Sequence, residues 1–253
     1  MQAPRPSRHR LCNLLLLSIV PLAMPSLALA GPWEVGSTSP SKTRKVKAEV
    51  TWKHTDSKDT WGRPILKFGA PLGEDLSYEV AAGYGIVERS SGKSRGGARD
   101  ITAKLKWRFV EETATRPAFL VEPKFTFDTG DSAAGIGGGV TTLKTPVRAG
   151  KQFGQFRLTG EMRYTHGFAR GYDNMVGYGG LVEYAPNQRW ILGVDVFNDR
   201  PVHDGGRYHV LGEAAFKFKP TKEIELQALI GRSIENRRGE PATNAKIVFV
   251  HKI

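Results

Sequence analysis

The sequence has little cysteine and only one long apolar run, and each shortage excludes a class of protein. A single cysteine, Cys12, rules out a scaffold held together by disulfide bonds. After residue 30 no stretch approaches the roughly 18 to 20 apolar residues that a membrane-spanning helix needs, so a bundle of such helices is excluded. The 29 glycines follow no triplet repeat, which excludes collagen, and aromatic residues at 9% of the chain argue against disorder.

The apolar run at the N-terminus has the composition of a secretory signal peptide. Arginines within the first ten residues form its basic start, and residues 11–24 form its mostly apolar centre. Ala28 and Ala30 supply the small-x-small pattern that signal peptidase accepts, so we expect cleavage after Ala30. Cys12 precedes the apolar run instead of following the cleavage point, which argues against a lipid anchor.

Cleavage at this point, together with the strand pattern described next, predicts three parts of the chain. They are a signal peptide over residues 1–30, a periplasmic segment over residues 31–44 and an outer-membrane barrel over residues 45–253. An exported protein whose mature chain has no cysteine fits the bacterial cell envelope better than eukaryotic secretion. The expected location is therefore the cell envelope of a Gram-negative bacterium, and the strand pattern described next narrows it to the outer membrane.

Apolar and polar residues alternate with a period of two along most of the chain after residue 44. In residues 99–110, for example, Ile101, Leu105 and Phe109 share one face, and charged residues and threonine occupy the other. Strict alternation predicts β-strands, and runs this long match the roughly 9 to 11 residues that a tilted strand needs to cross a bilayer. The pattern predicts twelve strands, over residues 45–54, 63–70, 76–87, 99–110, 117–128, 139–149, 155–166, 175–185, 189–198, 207–218, 222–232 and 244–253.

The connections between these strands also alternate in length. Odd-numbered strands are followed by longer loops, such as 87–98 and 128–138, and even-numbered strands mostly by tight turns, such as 185–188. An even strand count with long loops at one end is typical of transmembrane barrels. We therefore predict an all-β fold, a transmembrane antiparallel up-and-down β-barrel of twelve strands. Ten strands is one alternative, because the first two strands have a poor pattern, and a soluble β-sandwich is another.

Aromatic residues fall near the predicted strand ends, where the two membrane interfaces of a barrel lie. These candidates for a lipid-interface girdle are Trp52, Trp107, Phe109, Phe156, Tyr164, Tyr184, Trp190, Tyr208 and Phe218. The predicted outer face of the three clearest strands carries no charge, as expected if Arg or Lys at the midplane costs about 2 to 4 kcal/mol. Pro123 and Pro146 fall inside predicted strands, and because proline cannot donate to the ladder we expect β-bulges there.

The polar face of the same strands would line the lumen of the barrel. Its candidate pore-lining residues are Lys104, Lys106, Arg108, Glu122, Lys124, Arg157, Glu161, Arg163, Asp195, Glu213, Lys217 and Lys246. A mixed set of charges can filter ions, or its members can pair with one another and close the lumen. Eight strands leave room only for side chains and sixteen leave an aqueous channel, so twelve leaves both outcomes open.

Two segments resemble one family of barrels. Residues 96–109, Gly-Gly-Ala-Arg-Asp-Ile-Thr-Ala-Lys-Leu-Lys-Trp-Arg-Phe, resemble its strand with Gly-x-x-Asp, alternating hydrophobic positions and Lys-aromatic-Arg-Phe. Residues 125–131, Phe-Thr-Phe-Asp-Thr-Gly-Asp, resemble its Pro-Thr-Gly-Asp loop, with Asp128 in place of the proline. The family is the outer-membrane porin group labelled "MetA-pathway of phenol degradation", and the resemblance covers about residues 45–253. It implies an outer-membrane channel for aromatic or other small organic compounds.

The sequence thus predicts a channel for passive diffusion of small solutes, with aromatic compounds and anions as candidate classes and no cofactor. One alternative is a non-conducting barrel whose loops bind a partner or lipopolysaccharide, and a less favoured one is a barrel lipid hydrolase. The expected partners are outer-membrane lipid, lipopolysaccharide, small solutes and the barrel-assembly machinery, although the chain ends in Lys252-Ile253 instead of an aromatic residue. Nucleic acid is not expected, because the basic residues behind the net charge of +12 are dispersed in an exported protein.

Neither an enzyme nor a metal site is expected. A barrel hydrolase needs a serine activated by a histidine, and no histidine after residue 30 has a serine two residues away. His203, Asp204 and His209 match the ligand spacing of no known metal site. The segment from Asp128 to Gly139 is rich in Asp and Gly, which turns use, so a turn is favoured over a calcium site.

Overall fold

The computed structural model describes residues 31–204 and 206–253, so the expected signal peptide lies outside the described residues. This part of the chain folds into a closed antiparallel β-barrel of twelve strands, and it contains no helix. Accordingly, the described residues include no helix long and apolar enough to cross a membrane. The prediction of an all-β, twelve-stranded barrel is confirmed.

Ten of the strands are continuous and two are interrupted. They are β1 (Lys45–Thr55), β2 (Lys58–Pro71), β3 (Leu76–Arg89), β4 (Ser94–Ala98 and Thr102–Val110), β5 (Ala118–Val121 and Lys124–Thr126), β6 (Thr142–Phe153), β7 (Phe156–Gly167), β8 (Met175–Tyr184), β9 (Trp190–Pro201), β10 (His209–Phe218), β11 (Ile224–Asn236) and β12 (Thr243–Lys252). Each strand pairs with its neighbours in sequence. Strand β1 also pairs with β12, which closes the barrel and removes the free edges of the sheet.

Strand β2 is longer than the predicted 63–70, because the strand continues through a proline. The register of β2 shifts between Gly62 and Ile65 against both neighbouring strands. Arg63 and Pro64 therefore form a bulge. A bulge leaves a residue without a ladder partner, so a proline without an N–H is accommodated inside a closed barrel.

The bulges expected at Pro123 and Pro146 are absent. The β5–β6 ladder is interrupted beside these residues and resumes without any change in register. Both proline carbonyls still accept backbone hydrogen bonds of 3.0 Å, from Leu105 and Glu122 respectively. The β4–β5 ladder also has a gap at Pro123, between the pairs Lys104–Lys124 and Trp107–Val121, so gaps in pairing instead of bulges accommodate the two prolines.

The two ends of the barrel differ less than the sequence predicts. One end, here called the turn end, carries the links 72–75, 111–117, 154–155, 185–189 and 219–223. The opposite end, here called the loop end, carries the links 56–57, 90–93, 127–141, 168–174, 202–208 and 237–242. Because several strands extend past their predicted ends, only 127–141 is a long loop.

The outer face of the barrel is apolar and exposed. At the turn end the rings of Phe156 and Tyr184 stack with centroids 4.8 Å apart, and those of Trp190 and Phe218 with centroids 4.4 Å apart. Leucine, valine and isoleucine side chains with 40–66% exposure cover much of the surface between the two ends. A continuous exposed apolar surface of this kind is typical of a membrane-facing barrel, and contact of the girdle candidates with lipid stays a prediction.

Candidate functional site

The segment that precedes β1 lies inside the barrel. Trp33, Val35, Ser37 and Thr38 are at most 5% exposed, and they contact side chains that point inward from the strands. Residues 31–41 are here called the plug. Nothing in the sequence pattern predicts this position, because the segment has no period of two. From the sequence, residues 31–44 were expected to lie in the periplasm. The division of the chain at residue 30 stays a prediction.

Three carboxylates hold the backbone of the plug. The N–H groups of residues 34–36 donate to Glu213, Asp195 and Glu161 at 2.9, 2.9 and 3.1 Å respectively. These acceptors come from three different strands, β10, β9 and β7. Hydrogen bonds to a charged acceptor are roughly twice as strong as neutral ones. The plug is therefore attached along consecutive residues to one side of the lumen.

Apolar and cationic contacts hold the side chains of the plug. Trp33 and Val35 belong to a buried cluster that also contains Leu181, Ile191, Phe197 and Leu229. The Lys217 ammonium lies 4.5 Å from the centre of the Trp33 ring, and its Nζ donates to Glu183 at 3.0 Å. A cation over the face of a tryptophan ring is attracted by the ring quadrupole.

Glu161 is the centre of a buried ion-pair network. Its carboxylate accepts from Arg148 and Arg163 as well as from the backbone of Gly36. Arg148 Nη1 also lies 3.3 Å from Glu122. Arg163 in turn contacts the carboxylate of Glu34 in the plug. Because a buried charge without its partner is costly, this network fixes the plug and the strands together.

The charged residues of the lumen are segregated between two walls. The wall formed by β1–β6, here called the basic wall, carries Lys45, Lys47, Lys67, Lys104, Lys106, Lys124, Lys144 and Arg148, with Glu49, Glu79 and Glu122 among them. The wall formed by β7–β11, here called the acidic wall, buries the carboxylates of Glu161, Glu183, Asp195, Glu213 and Glu225, with Arg157, Arg163 and Lys217. The plug lies against the acidic wall.

A cavity of about 120 Å³ remains between the plug and the basic wall. It is lined by Lys45, Lys47, Glu79, Lys104, Lys106, Glu122 and Arg148 from the wall, and by plug residues that include Trp33, Glu34 and Ser39. A cavity of about 150 Å³ holds a molecule as large as benzene. The cavity therefore has the size of a small organic solute, and its walls are mostly basic.

Eleven of the twelve candidate pore-lining residues lie on the inner face of the barrel, in or next to the plug contacts, the ion pairs and the cavity. Arg108 lies at the turn-end rim, where it pairs with Asp75 at 2.6 Å. Lys45, Lys47, Glu79 and Arg148 also line the cavity, but they are not among the residues predicted from the sequence. The alternation in Lys45-Val-Lys-Ala-Glu49 could have indicated Lys45 and Lys47, although the strand as a whole has a weak pattern.

The barrel also places a serine next to a histidine. Nε2 of His209 lies 2.8 Å from Oγ of Ser233, across 24 residues of sequence. The same Oγ accepts the N–H of Ala242 at 2.9 Å. Asp199, the cross-strand neighbour of His209, is paired with Arg238 at 3.1 Å. A histidine that acts as a catalytic base requires an acidic group that orients its imidazole. The described contacts include no such group for His209.

The long loop at the loop end folds as a turn. The Asp100 carboxylate accepts the N–H groups of Gly130 and Gly138 at 2.8 and 2.7 Å, and Asp131 accepts that of Ala134 at 2.9 Å. Among the described residues no three His, Cys, Asp or Glu side chains are placed to hold a metal ion. Ile136 of this loop packs closely on Gly85 of β3. A Cβ added at residue 85 would lie only 2.7 Å from Cγ2 of Ile136. The loop thereby narrows the lumen.

Several solved outer-membrane proteins share this fold. An outer-membrane channel from Pseudomonas putida F1 matches with a TM-score of 0.63 and 14% identity, over 85% of this chain and 97% of that one. The NanC porin matches with a TM-score of 0.59 and 10% identity, over 82% of this chain and 100% of that one. The translocator domain of the autotransporter NalP from Neisseria meningitidis matches with a TM-score of 0.56 and 8% identity, over 84% and 89%. No protein-family model and no curated protein sequence matches the chain.

Proposed function

We propose that the protein is an outer-membrane channel through which small solutes diffuse passively along the basic wall. The observation that carries this proposal is the cavity of about 120 Å³ beside the plug, inside a closed barrel with an apolar outer face. The shared fold with an outer-membrane channel and a porin supports it. The stacked aromatic pairs at the turn end agree with a membrane interface at that level.

The chain's own residues would perform the filtering. The plug narrows the lumen, so only small molecules pass, and the lysines of the basic wall select among them by charge. No step requires a cofactor. Signal-peptide cleavage after Ala30, assembly by the barrel-assembly machinery and contact with lipopolysaccharide are parts of the same proposal. Membership of the porin group labelled "MetA-pathway of phenol degradation", and with it aromatic solutes, rests on residues 96–109 and 125–131.

Single-channel recording tests the proposal. The protein without its first 30 residues would be refolded, inserted into planar bilayers and compared with a variant that also lacks residues 31–41. We expect small, steady conductance steps from the first and steps several times larger from the second, because removal of the plug widens the lumen. Slower migration in SDS after heating checks that each protein forms a barrel.

A non-conducting barrel is the second candidate, because one observation favours it. Much of the plug and many lumen charges are buried, with Lys217 at 0% exposure, so much of the interior is filled. If both proteins insert and remain heat-modifiable but neither conducts, the channel proposal is wrong. The loops would then be the functional part. A hydrolase is not proposed, since no acid among the described contacts orients the Ser233–His209 pair.

A further inference from the structure

Three lysines on adjacent strands of the basic wall lie directly opposite one another. Lys104 pairs with Lys124 in the β4–β5 ladder, and Lys124 pairs with Lys144 in the β5–β6 ladder. These three residues are here called the lysine row. Directly opposite residues have Cβ atoms about 4.5 to 5.5 Å apart, and like charges in that arrangement repel each other. The row is therefore a concentration of positive charge that needs an anion.

The protein compensates this charge only in part. Lys104 lies 3.1 Å from Glu79 and 3.7 Å from Glu122. Lys144 lies 3.6 Å from Glu34 of the plug. Lys124, at the centre of the row, makes no ion pair or hydrogen bond within the part of the chain that the structure describes. One lysine side chain on the lumen side is thus available to a ligand.

The carboxylate that reaches Lys144 comes from the plug, whereas those that reach Lys104 come from the wall. Glu34 is shared between Lys144 and Arg163, and its side chain keeps 36% exposure. Its backbone N–H is held separately, by Glu213 of the acidic wall. The side chain can therefore leave Lys144 without releasing the backbone of the plug. Glu34 thus places a carboxylate of the protein itself next to Lys144 of the row.

We propose that the lysine row is a binding site for small organic carboxylates, which bind Lys124 and compete with Glu34 for Lys144. This inference rests on the proposed channel function and names its solute class. A lysine is a compact point charge that suits a single carboxylate group without requiring a fixed orientation. From the row, the lysines around the adjacent cavity, Lys104 and Lys106, continue the basic path towards the turn end.

Block of the channel current by succinate tests the site. In chloride solution, we expect succinate to reduce the single-channel current of the unmodified protein in a concentration-dependent way, and the neutral diamide succinamide to have no effect. Lys124→Gln should raise the half-blocking concentration of succinate about tenfold, because a hydrogen-bonded charge interaction is lost. The matched control is Lys93→Gln, which removes an exposed lysine from the 90–93 link and should leave the value unchanged.

Glu34→Gln tests the competition. Since this change removes the internal carboxylate, the half-blocking concentration should fall severalfold below that of the unmodified protein. Equal block of the unmodified, Lys124→Gln and Lys93→Gln proteins, or equal block by succinamide, would overturn the site. An unchanged value in Glu34→Gln would overturn the competition with the plug.

A binding measurement separates this inference from the channel proposal. If neither the unmodified protein nor the variant without the plug conducts, the proposed function fails. Calorimetric titration of the refolded barrels with succinate then decides on the site alone. Binding that Lys124→Gln weakens and Lys93→Gln preserves supports the site in a non-conducting barrel. Binding that is absent, or equal in both variants, overturns it.

Discussion

The acidic and the basic wall of the lumen differ in what neutralises their charges. On the acidic wall, backbone N–H groups of the plug donate to Glu213, Asp195 and Glu161, and the buried Arg163 also binds Glu161, so protein fills that side. On the basic wall the lysines outnumber the carboxylates, and a cavity remains beside them. A peptide segment has many N–H donors but offers few anions. The plug therefore completes the acidic wall and leaves the basic wall for solutes.

The largest expected difference between the walls concerns two lysines that each pair with a glutamate. Lys217, on the acidic wall, is the partner of Glu183 at 3.0 Å, and both side chains are at most 2% exposed. We expect Lys217→Gln to lower the free energy of unfolding by about 3 to 5 kcal/mol, because Glu183 loses its cation in a buried position. Urea unfolding of the refolded barrel in lipid vesicles measures this change.

The matched variant on the basic wall is Lys47→Gln. Lys47 lies 2.7 Å from Glu79, which keeps a second cation in Lys104 at 3.1 Å. The expected loss in the same experiment is about 1 kcal/mol. Equal losses for the two variants would contradict the idea that the charges of the acidic wall are held more tightly than those of the basic wall.

The next prediction concerns the charge of solutes that reach the cavity. Ser39 lines the cavity on the plug side, and the chain has no cysteine after residue 12. We expect Ser39→Cys to react several times faster with an anionic methanethiosulfonate reagent than with a cationic one of similar size, since the basic wall attracts anions. Mass spectrometry after timed reaction measures both rates.

The control for reagent reactivity is Ser91→Cys, in the exposed 90–93 link. There the ratio of anionic to cationic rates should be much closer to one than in the cavity. A similar ratio at both positions would mean that the basic wall does not set the potential in the cavity. High salt should reduce the ratio at Ser39→Cys, because the Debye length falls to about 3 Å at 1 M.

The barrel could be predicted from the sequence because a strand pattern is local. Alternation over residues 99–110 or 155–166 reports which face of a strand is apolar, whatever the strand pairs with. The pattern fails where the backbone departs from it, as at Pro64, where β2 continues through a bulge. Arg148 was not predicted to line the lumen because a bulge was expected at Pro146 just before it, but the register is unchanged there.

The plug could not be predicted in the same way. Its residues have no periodic pattern, and their position depends on carboxylates up to 179 residues away in the sequence, as for Glu34 and Glu213. The sequence also does not show which inward charges face one another. Segregation of lumen charge into two walls becomes visible only when β1–β6 and β7–β11 are placed on opposite sides of the closed barrel.

The smallest expected effect concerns the loop-end pair of Ser233 and His209, which belongs to neither the plug nor the lysine row. Ser233→Ala removes a hydroxyl that contacts His209 at 2.8 Å and accepts the N–H of Ala242 at 2.9 Å. We expect the free energy of unfolding to fall by about 1 kcal/mol, as for an ordinary hydrogen bond, with conductance and succinate block unchanged. A fluorophosphonate probe should label Ser233 no more than it labels the Ser233→Ala variant. Selective labelling of Ser233 would instead mean that the histidine activates the serine without an orienting acid, and the loop end would then be an acyl-transfer site.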